Sequence, residues 1–180
     1  MVVRKKTNLQ RGQAVTELAI QIPLVLMLLF GGLQLGRIFY VYHTLQKALR
    51  GGAGLLARSV NVDYCNADDT ALADARNFIV FGNLQGEGGD NARVVQGLTP
   101  DMIQILPERE DATTAAVDSC PCSADTEVAN SCNVSSGGRA PDFVVVNLGS
   151  GFPLQVPVFP FVNLGTINLK VSVRMPVTGG

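Results

Sequence analysis

The sequence predicts an α+β protein in which a long N-terminal helix leads into a small, disulfide-stabilised domain with antiparallel strands. Three observations support this fold class: an apolar stretch of bilayer length near the N-terminus, four cysteines that all follow it, and β-rich segments near the C-terminus. The predicted organisation is a basic leader at 1–12, a transmembrane and then amphipathic helix at 13–58, and an extracytoplasmic α+β domain at 59–180.

The composition is apolar for a chain of this size and argues against nucleic-acid binding. Of the 180 residues 47% are hydrophobic and 16% charged, with a formal net charge of −1. Such a balance offers no broad basic surface for a phosphate backbone. Tryptophan is absent, so the sequence also shows no stacking platform for single strands.

The apolar stretch runs from Leu18 to Tyr42 and is interrupted only by Gln21, Gln34 and Arg37. A membrane-spanning helix needs about 20 mostly apolar residues, and this stretch is long enough. A cleaved secretory signal would have a shorter apolar core ending in a small-x-small site. Because the apolar pattern continues through Arg37, we predict a transmembrane helix.

The same helix is predicted to project beyond the bilayer as an amphipathic segment. Its apolar residues recur at spacings of three, four and seven: Ile38, Tyr42, Leu45, Leu49 and Leu56. One helix over 13–58 would be about 69 Å long, so roughly half of it would lie in water. The glycines of "RGGAGLL" predict fraying or a break between Gly51 and Gly54, because glycine disfavours helix.

A second helix is predicted over "DDTALADARNFIVFG", capped by Asp68 or Asp69 and stopped by Gly82. The side chains predicted to face the core are Ala71, Ala75, Phe78 and Ile79. The following "NLQGEGGDNARVVQGLTPDMIQILPE" indicates loop, strand and turn, and residues 111–142 indicate a loop held by disulfides.

Two β-rich runs follow, "DFVVVNLG" and "INLKVSVRMPV". The second alternates apolar and polar residues and predicts one half-buried antiparallel strand. Between them, "SGFPLQVPVFPFVNLG" contains three prolines, which exclude a central strand. It predicts an extended connection that exposes apolar surface to partners or membrane.

The cysteines are Cys65, Cys120, Cys122 and Cys132. An even number confined to one side of a membrane segment indicates an oxidising compartment and disulfides, with four free thiols as the alternative. Since a bridge between Cys120 and Cys122 would be strained, each is expected to reach elsewhere, to Cys65 and Cys132 in an order left open.

The sequence gives little support to an enzymatic function. His43 is the only histidine and lies on the predicted helix. Cys-Pro-Cys is neither the C-x-x-C redox motif nor, without a second close pair, a zinc site. "GNLQGEGGD" lacks the Gly-Lys-Ser/Thr of a phosphate loop. We expect no catalytic residue, no cofactor, no metal and no small-molecule substrate.

A distinctive pattern lies where the leader meets the helix. Gly12 ends a basic leader, Glu17 is the fifth residue after it, and an apolar helix follows. This resembles the recognition site of prepilin peptidases, which cut after the glycine, here between Gly12 and Gln13. Alternatively, Glu17 only marks a cytoplasmic helix start, where the helix dipole favours an acid.

The wider segment 11–58 resembles the N-terminal signature of the TadE/TadG-like proteins of tight-adherence pili. The residues that carry the resemblance are Arg11, Gly12, Val15, Glu17, Pro23, Gly36, Arg37, Phe39 and Tyr40. The closing strands resemble that family more loosely. The resemblance implies a minor pilin or pseudopilin in the bacterial inner membrane, with its N-terminus cytoplasmic and its C-terminal domain periplasmic, which acts in pilus assembly or at the pilus tip.

The partners then expected are a prepilin peptidase, membrane lipid and other pilin subunits. Pro23 would kink the helix or allow it to melt during assembly, and Gly32 and Gly36 form a G-x-x-x-G pair suited to helix packing. Two other interpretations stay open: an unprocessed membrane-anchored envelope protein, and a secreted binding domain released by signal peptidase.

Overall fold

The computed structural model describes residues 9–88, 92–111, 114–122, 131–134, 137–158 and 162–178, with the backbone alone at 9–12, 156–158 and 162–164. The elements are helices α1 (Leu9–Arg58) and α2 (Thr70–Phe81), and strands β1 (Ile103–Glu110), β2 (Val117–Ser119), β3 (Phe143–Leu148), β4 (Phe152–Val158), β5 (Val162–Leu169) and β6 (Ser172–Pro176). The predicted fold class, a long N-terminal helix followed by an α+β domain with two disulfides, is confirmed.

The strands form two antiparallel sheets beside the C-terminal half of α1. The larger sheet has the order β2-β1-β3-β6, and β4 and β5 form a separate two-stranded sheet. Helix α1 packs against β3, β4 and β6, and α2 packs against α1. The core therefore lies between the second half of the long helix, the short helix and one face of the larger sheet.

The amphipathic face of α1 is part of that core, as its spacing predicts. Leu45, Leu49 and Leu56 are fully buried, while Ile38 and Tyr42 are half-buried at its edge. The chain also returns to this helix at its C-terminal end. The Thr178 backbone N–H donates to the Ala57 carbonyl at 2.8 Å, which fastens the segment after β6 to the end of α1.

The predicted break between Gly51 and Gly54 is wrong, because α1 continues to Arg58. Two of the glycines lie under α2. A Cβ on Gly51 would be 2.7 Å from the Phe78 side chain, and one on Gly52 would run into Ile79. Each glycine in a helix costs about 1 kcal/mol of stability relative to alanine, and close packing of α2 compensates this cost.

Alanine substitutions at Gly52 and Gly54 should have opposite effects on stability. The Gly52 Cβ would meet the fully buried Ile79 and the Ala75 carbonyl, whereas a Cβ on Gly54 meets nothing within 4 Å. We expect Gly52→Ala to lower the free energy of unfolding by about 1–2 kcal/mol. Gly54→Ala should raise it by up to about 1 kcal/mol, through helix propensity alone.

Urea unfolding of the full chain in detergent micelles, followed by circular dichroism, measures both values. Equal effects of Gly52→Ala and Gly54→Ala would show that the packing of α2 against α1 does not require the absence of a side chain at Gly52.

Both predicted ends of α2 are confirmed. Asp69 is the N-cap, and its carboxylate accepts the Ala71 backbone N–H at 2.8 Å. Gly82 ends the helix in the left-handed conformation (φ 72°), and its N–H donates to the Phe78 carbonyl at 2.9 Å. Of the side chains predicted to face the core, Ala75 and Ile79 are buried and Ala71 and Phe78 half-buried, and the helix also buries Leu72 and Val80.

The single strand predicted for "INLKVSVRMPV" is wrong, since the chain changes sheets within it. β5 ends at Leu169 and pairs with β4, whereas β6 begins at Ser172 and pairs with β3. After the chain has changed sheets, the alternation still predicts correctly which side chains are buried: Val171 and Val173 are buried and Ser172 is exposed. Alternation predicts which side chains are buried, not which strand is the neighbour.

The proline-rich segment is also more ordered than the predicted connection. Much of it belongs to the β4–β5 hairpin, in which Pro153 pairs with Asn168 and Pro157 with Asn163. Each strand of a two-stranded sheet has a free edge, which is where proline is tolerated. The exclusion of a central strand therefore holds. The predicted apolar surface depends mainly on the side chains of 156–164, which lie outside the described part.

The cysteines form two disulfides, Cys65–Cys122 and Cys120–Cys132. Each member of the Cys-Pro-Cys pair reaches elsewhere, as predicted, and the pairing left open is now assigned. The first disulfide joins the segment between α1 and α2 to the chain after β2. The region predicted as loop at 111–142 also contains β2, which pairs with β1.

Two polar side chains, the buried Tyr64 and the half-buried Arg109, fasten the loops around this core. The Tyr64 hydroxyl donates to the Leu56 carbonyl at 3.4 Å, and burial, followed by the charge of Asp69, raises the pKa of Tyr64 to about 12. The Arg109 guanidinium donates to the Ser131 carbonyl at 3.4 Å. Burial is the main cause that lowers the pKa of Arg109, although an arginine remains charged at physiological pH.

Candidate membrane-spanning and assembly helix

Between Glu17 and Arg37, helix α1 is apolar, uncharged and largely exposed in the single chain. No charged residue lies between Glu17 and Arg37. The intervening 18–36 segment is about 28 Å long as a helix, close to the roughly 30 Å of a bilayer core. Leu28 and Leu33 are each 70% exposed. An apolar surface of this size requires cover by lipid or by protein.

This helix is long and apolar enough to cross a membrane, and its most apolar stretch contributes nothing to the core of the domain. Packing begins only after Arg37, with the half-buried Ile38. The two halves of α1 thus have different environments. The second half cannot be removed from the domain without removing Leu45, Leu49 and Leu56 from its core.

The predicted recognition residues lie on the first turns of α1. The Gln13 side-chain amide donates to the Glu17 carboxylate at 3.3 Å, and the Thr16 hydroxyl donates to the Gln13 carbonyl at 2.8 Å. Both contacts lie on the exposed helix surface. Since α1 begins at Leu9, the Gly12–Gln13 bond is itself within the helix, and a peptidase would have to unwind this turn to reach it.

Pro23 lies inside α1 without ending it. It has no backbone N–H, so the helical hydrogen bond to the Ala19 carbonyl is absent. Further along, a Cβ on Gly32 or Gly36 would meet nothing within 4 Å. The helix surface at the predicted G-x-x-x-G pair is open, and its role in helix packing remains a prediction.

The sequence interpretation assigned no role to the face of α1 opposite the core. Its members follow one another at intervals of three or four residues and are Gly36, Tyr40, His43, Lys47, Arg50, Gly54 and Arg58. Lys47, Arg50 and Arg58 are exposed. Their spacing was available in the sequence, because it is the complement of the apolar period that predicts the buried face.

The described residues contain no group of three or more histidine, cysteine, aspartate or glutamate side chains that could hold a metal ion. Within the same residues, the cysteines are all in disulfides.

An exposed apolar helix that continues into the core of a small antiparallel domain defines an α+β protein with one helix long and apolar enough to span a membrane. Residues 12–53 match the family described as TadE-like protein, so the resemblance is confirmed over this segment, which is less than a quarter of the chain. TadE-like proteins are structural components of tight-adherence pili rather than enzymes. No curated protein and no solved structure matches the chain significantly. The family match and the helix together fit a component of such a pilus.

Proposed function

We propose that this protein is a minor pilin or pseudopilin of a tight-adherence pilus, processed by a prepilin peptidase between Gly12 and Gln13. The observation that carries the proposal is the TadE-like match, which begins at Gly12 and includes Glu17 and the exposed apolar helix. After cleavage, the mature chain would begin with this helix and remain held by it in the membrane. It then primes pilus assembly or occupies the tip, in a small complex with related subunits.

The proposed location is the inner membrane, with the N-terminus cytoplasmic and the α+β domain periplasmic. Both disulfides lie after the apolar half of α1, which supports an oxidising compartment on that side. Prepilin peptidases act on the cytoplasmic side, so the Gly12–Gln13 bond belongs there. The proposed partners are the peptidase, membrane lipid and other pilin subunits, which contact the apolar half of α1.

A permanent, unprocessed anchor is the second candidate, and one observation favours it. The helix is continuous across the Gly12–Gln13 bond, so cleavage needs local unwinding. Glycine at this position weakens the first turns of the helix, which helps such unwinding. The anchor would hold the same disulfide-bonded domain at the membrane without assembly into a pilus.

N-terminal sequencing and intact mass of the protein extracted from its native membrane test the proposal. We expect the mature chain to start at Gln13. A start at Met1 would support the permanent anchor, and a start beyond Gly36 would support secretion. Gly12→Leu is the variant that tests the cleavage site, because it places a large side chain on the N-terminal side of the cleaved bond. It should retain the leader while inserting normally.

A further inference from the structure

The part of α1 after Arg37 is called its aqueous half, because it would project beyond the bilayer. It carries a basic stripe, defined here as Lys47, Arg50 and Arg58. All three residues are exposed, and they lie on the side of the helix opposite the buried Leu45 and Leu49. From Arg37 to Arg58 the helix has four basic residues and no acidic one. An exposed face with charge of one sign is suited to an acidic partner.

The position of the basic stripe favours protein over lipid as that partner. Lys47 and Arg50 lie 10 and 13 residues after Arg37, which corresponds to about 15 and 20 Å along the helix. The head-group region adds only about 5–8 Å beyond the hydrocarbon core on each side. When Arg37 lies at the membrane surface, Lys47 and Arg50 lie beyond the lipid head groups.

The domain of the same chain carries the opposite charge. Residues 59–180 include 14 acidic and 6 basic residues, a formal balance of −8. One concentration of exposed acids is the end of the β1–β2 hairpin, the acidic edge, which consists of Glu110, Asp111 and Asp118. The two surfaces are complementary in charge.

The fold keeps the acidic edge apart from the basic stripe. β2 is at one edge of the larger sheet and β6 is at the other, while α1 packs against β6, β3 and β4. The basic stripe faces away from this packing. Because one face of the aqueous half of α1 packs into the domain core, the two surfaces also lie on the same side of the membrane. A neighbouring copy in that membrane can therefore present its acidic edge on the side of the membrane where the basic stripe is exposed.

We propose that the basic stripe of one copy binds the acidic edge of a second copy. The proposal rests on the function proposed above, in which the chain assembles with pilin subunits, and it specifies one such contact. Two different surfaces meet, so the contact is heterologous and leaves one basic stripe and one acidic edge at the ends of the pair for further subunits. Symmetric, in-register pairing of two α1 helices through this face is disfavoured, since Lys47 would face Lys47.

Charge reversal at matched lysines tests the basic stripe. Lys47→Glu places an acid on the stripe, and Lys170→Glu makes the same change at an exposed position between β5 and β6. Self-association of the full chain in detergent micelles is measured by sedimentation equilibrium. We expect Lys47→Glu to weaken it roughly tenfold, more at low salt than at high salt, and Lys170→Glu to leave it within about twofold.

A charge swap tests the pairing itself. The double variant Lys47→Glu/Arg50→Glu has an acidic stripe, and Glu110→Lys/Asp118→Lys has a basic edge. Neither should associate alone, but a mixture of the two should, because the reversed stripe of one meets the reversed edge of the other. Glu87→Lys is the control for the edge, as an exposed acid outside it.

Association of Lys47→Glu at the wild-type level, or a mixture that fails to associate, overturns the proposal. It is also overturned if Lys47→Glu leaves self-association intact and instead reduces binding to vesicles containing phosphatidylglycerol, since the partner is then lipid. Processing at Gly12 is read separately by the mass of each variant. A chain that starts at Gln13 without self-association contradicts this contact alone, whereas a chain that starts at Met1 contradicts the proposed function.

Discussion

Removal of the Cys65–Cys122 disulfide should lower the free energy of unfolding by about 4 kcal/mol, the largest stability effect expected from this fold. The two cysteines are 57 residues apart in sequence, against 12 for Cys120–Cys132. A cross-link that closes a longer loop removes more conformational entropy from the unfolded chain. The same relation gives about 3 kcal/mol for the shorter loop.

The first disulfide also adds a covalent link to a segment that the core otherwise holds through Val62 and Tyr64. It joins the chain between α1 and α2 to the chain after β2, and the second disulfide closes only a local loop before β3. Without Cys65–Cys122, the attachment of that interhelix segment depends on contacts such as the Tyr64 hydroxyl bond to Leu56. We therefore expect the loop before β3 to detach from the α1–α2 connection.

The comparison uses two double variants, Cys65→Ala/Cys122→Ala and Cys120→Ala/Cys132→Ala, so that neither contains a free thiol. Urea unfolding of the full chain in detergent micelles, followed by tyrosine fluorescence, gives both free energies. A loss below about 1 kcal/mol for the first variant would contradict the expected contribution of the long loop. Cys132 is fully buried and Cys122 is exposed. The free energy lost by the Cys120→Ala/Cys132→Ala variant therefore also includes the loss of packing around Cys132.

Local signals in the sequence predicted the parts of the fold that depend on local chemistry. The apolar spacing of Leu45, Leu49 and Leu56 predicted the buried face of α1, because a helix has a fixed period. Asp69 and Gly82 predicted the ends of α2 for a similar reason, since a capping carboxylate and a left-handed glycine act on the nearest backbone groups.

The errors arose where a residue's role depends on a distant partner. Gly51 and Gly52 looked like helix breakers, but Phe78 and Ile79, on another helix, explain their small size. The alternation across Lys170 was interpreted as one strand because periodicity carries no information about sheet membership. The pairing of the four cysteines was undetermined for the same reason, since it is fixed by tertiary contacts alone.

The candidate site could be identified mainly from the sequence, and the fold adds less to it. The Gly12 and Glu17 pattern is a linear motif, and the TadE-like match covers the same segment. The structure adds that this motif is helical, that Glu17 is exposed, and that the apolar residues after it lie outside the core. The spacing of the basic stripe was available in the sequence as the complement of the buried face, and the packing of α1 adds that this face is exposed in the folded chain.

Glu17→Ala should abolish pilus assembly while leaving membrane insertion intact, which is the largest functional effect expected from one substitution. A carboxylate at the margin of an apolar helix is tolerated at the membrane surface but needs a charged partner once subunits pack together. The α-amino group that cleavage after Gly12 would create on a neighbouring subunit can supply that charge. Loss of one partner of a buried pair costs about 3–5 kcal/mol, more than a hundredfold in an assembly equilibrium.

Glu17→Gln separates this role from the contact seen in the single chain. The amide keeps an oxygen that can accept the Gln13 side-chain N–H, now at 3.3 Å from the carboxylate, but it removes the charge. If charge pairing between subunits is the role of Glu17, Gln and Ala both abolish piliation. If the residue only stabilises the N-terminal turns of α1, Glu17→Gln retains pili and Glu17→Ala reduces them slightly.

Thr16→Ala is the matched control, because the neighbouring hydroxyl bonds only within its own helix turn, to the Gln13 carbonyl. It should leave assembly unchanged. Sheared pili are quantified for each strain, the membrane fraction is probed for the chain, and its mass reports cleavage. Normal piliation in the Glu17→Ala strain would exclude the carboxylate from assembly. A variant that inserts and is cleaved after Gly12 but forms no pili places the function of Glu17 in subunit contact, since anchoring and processing both precede that step.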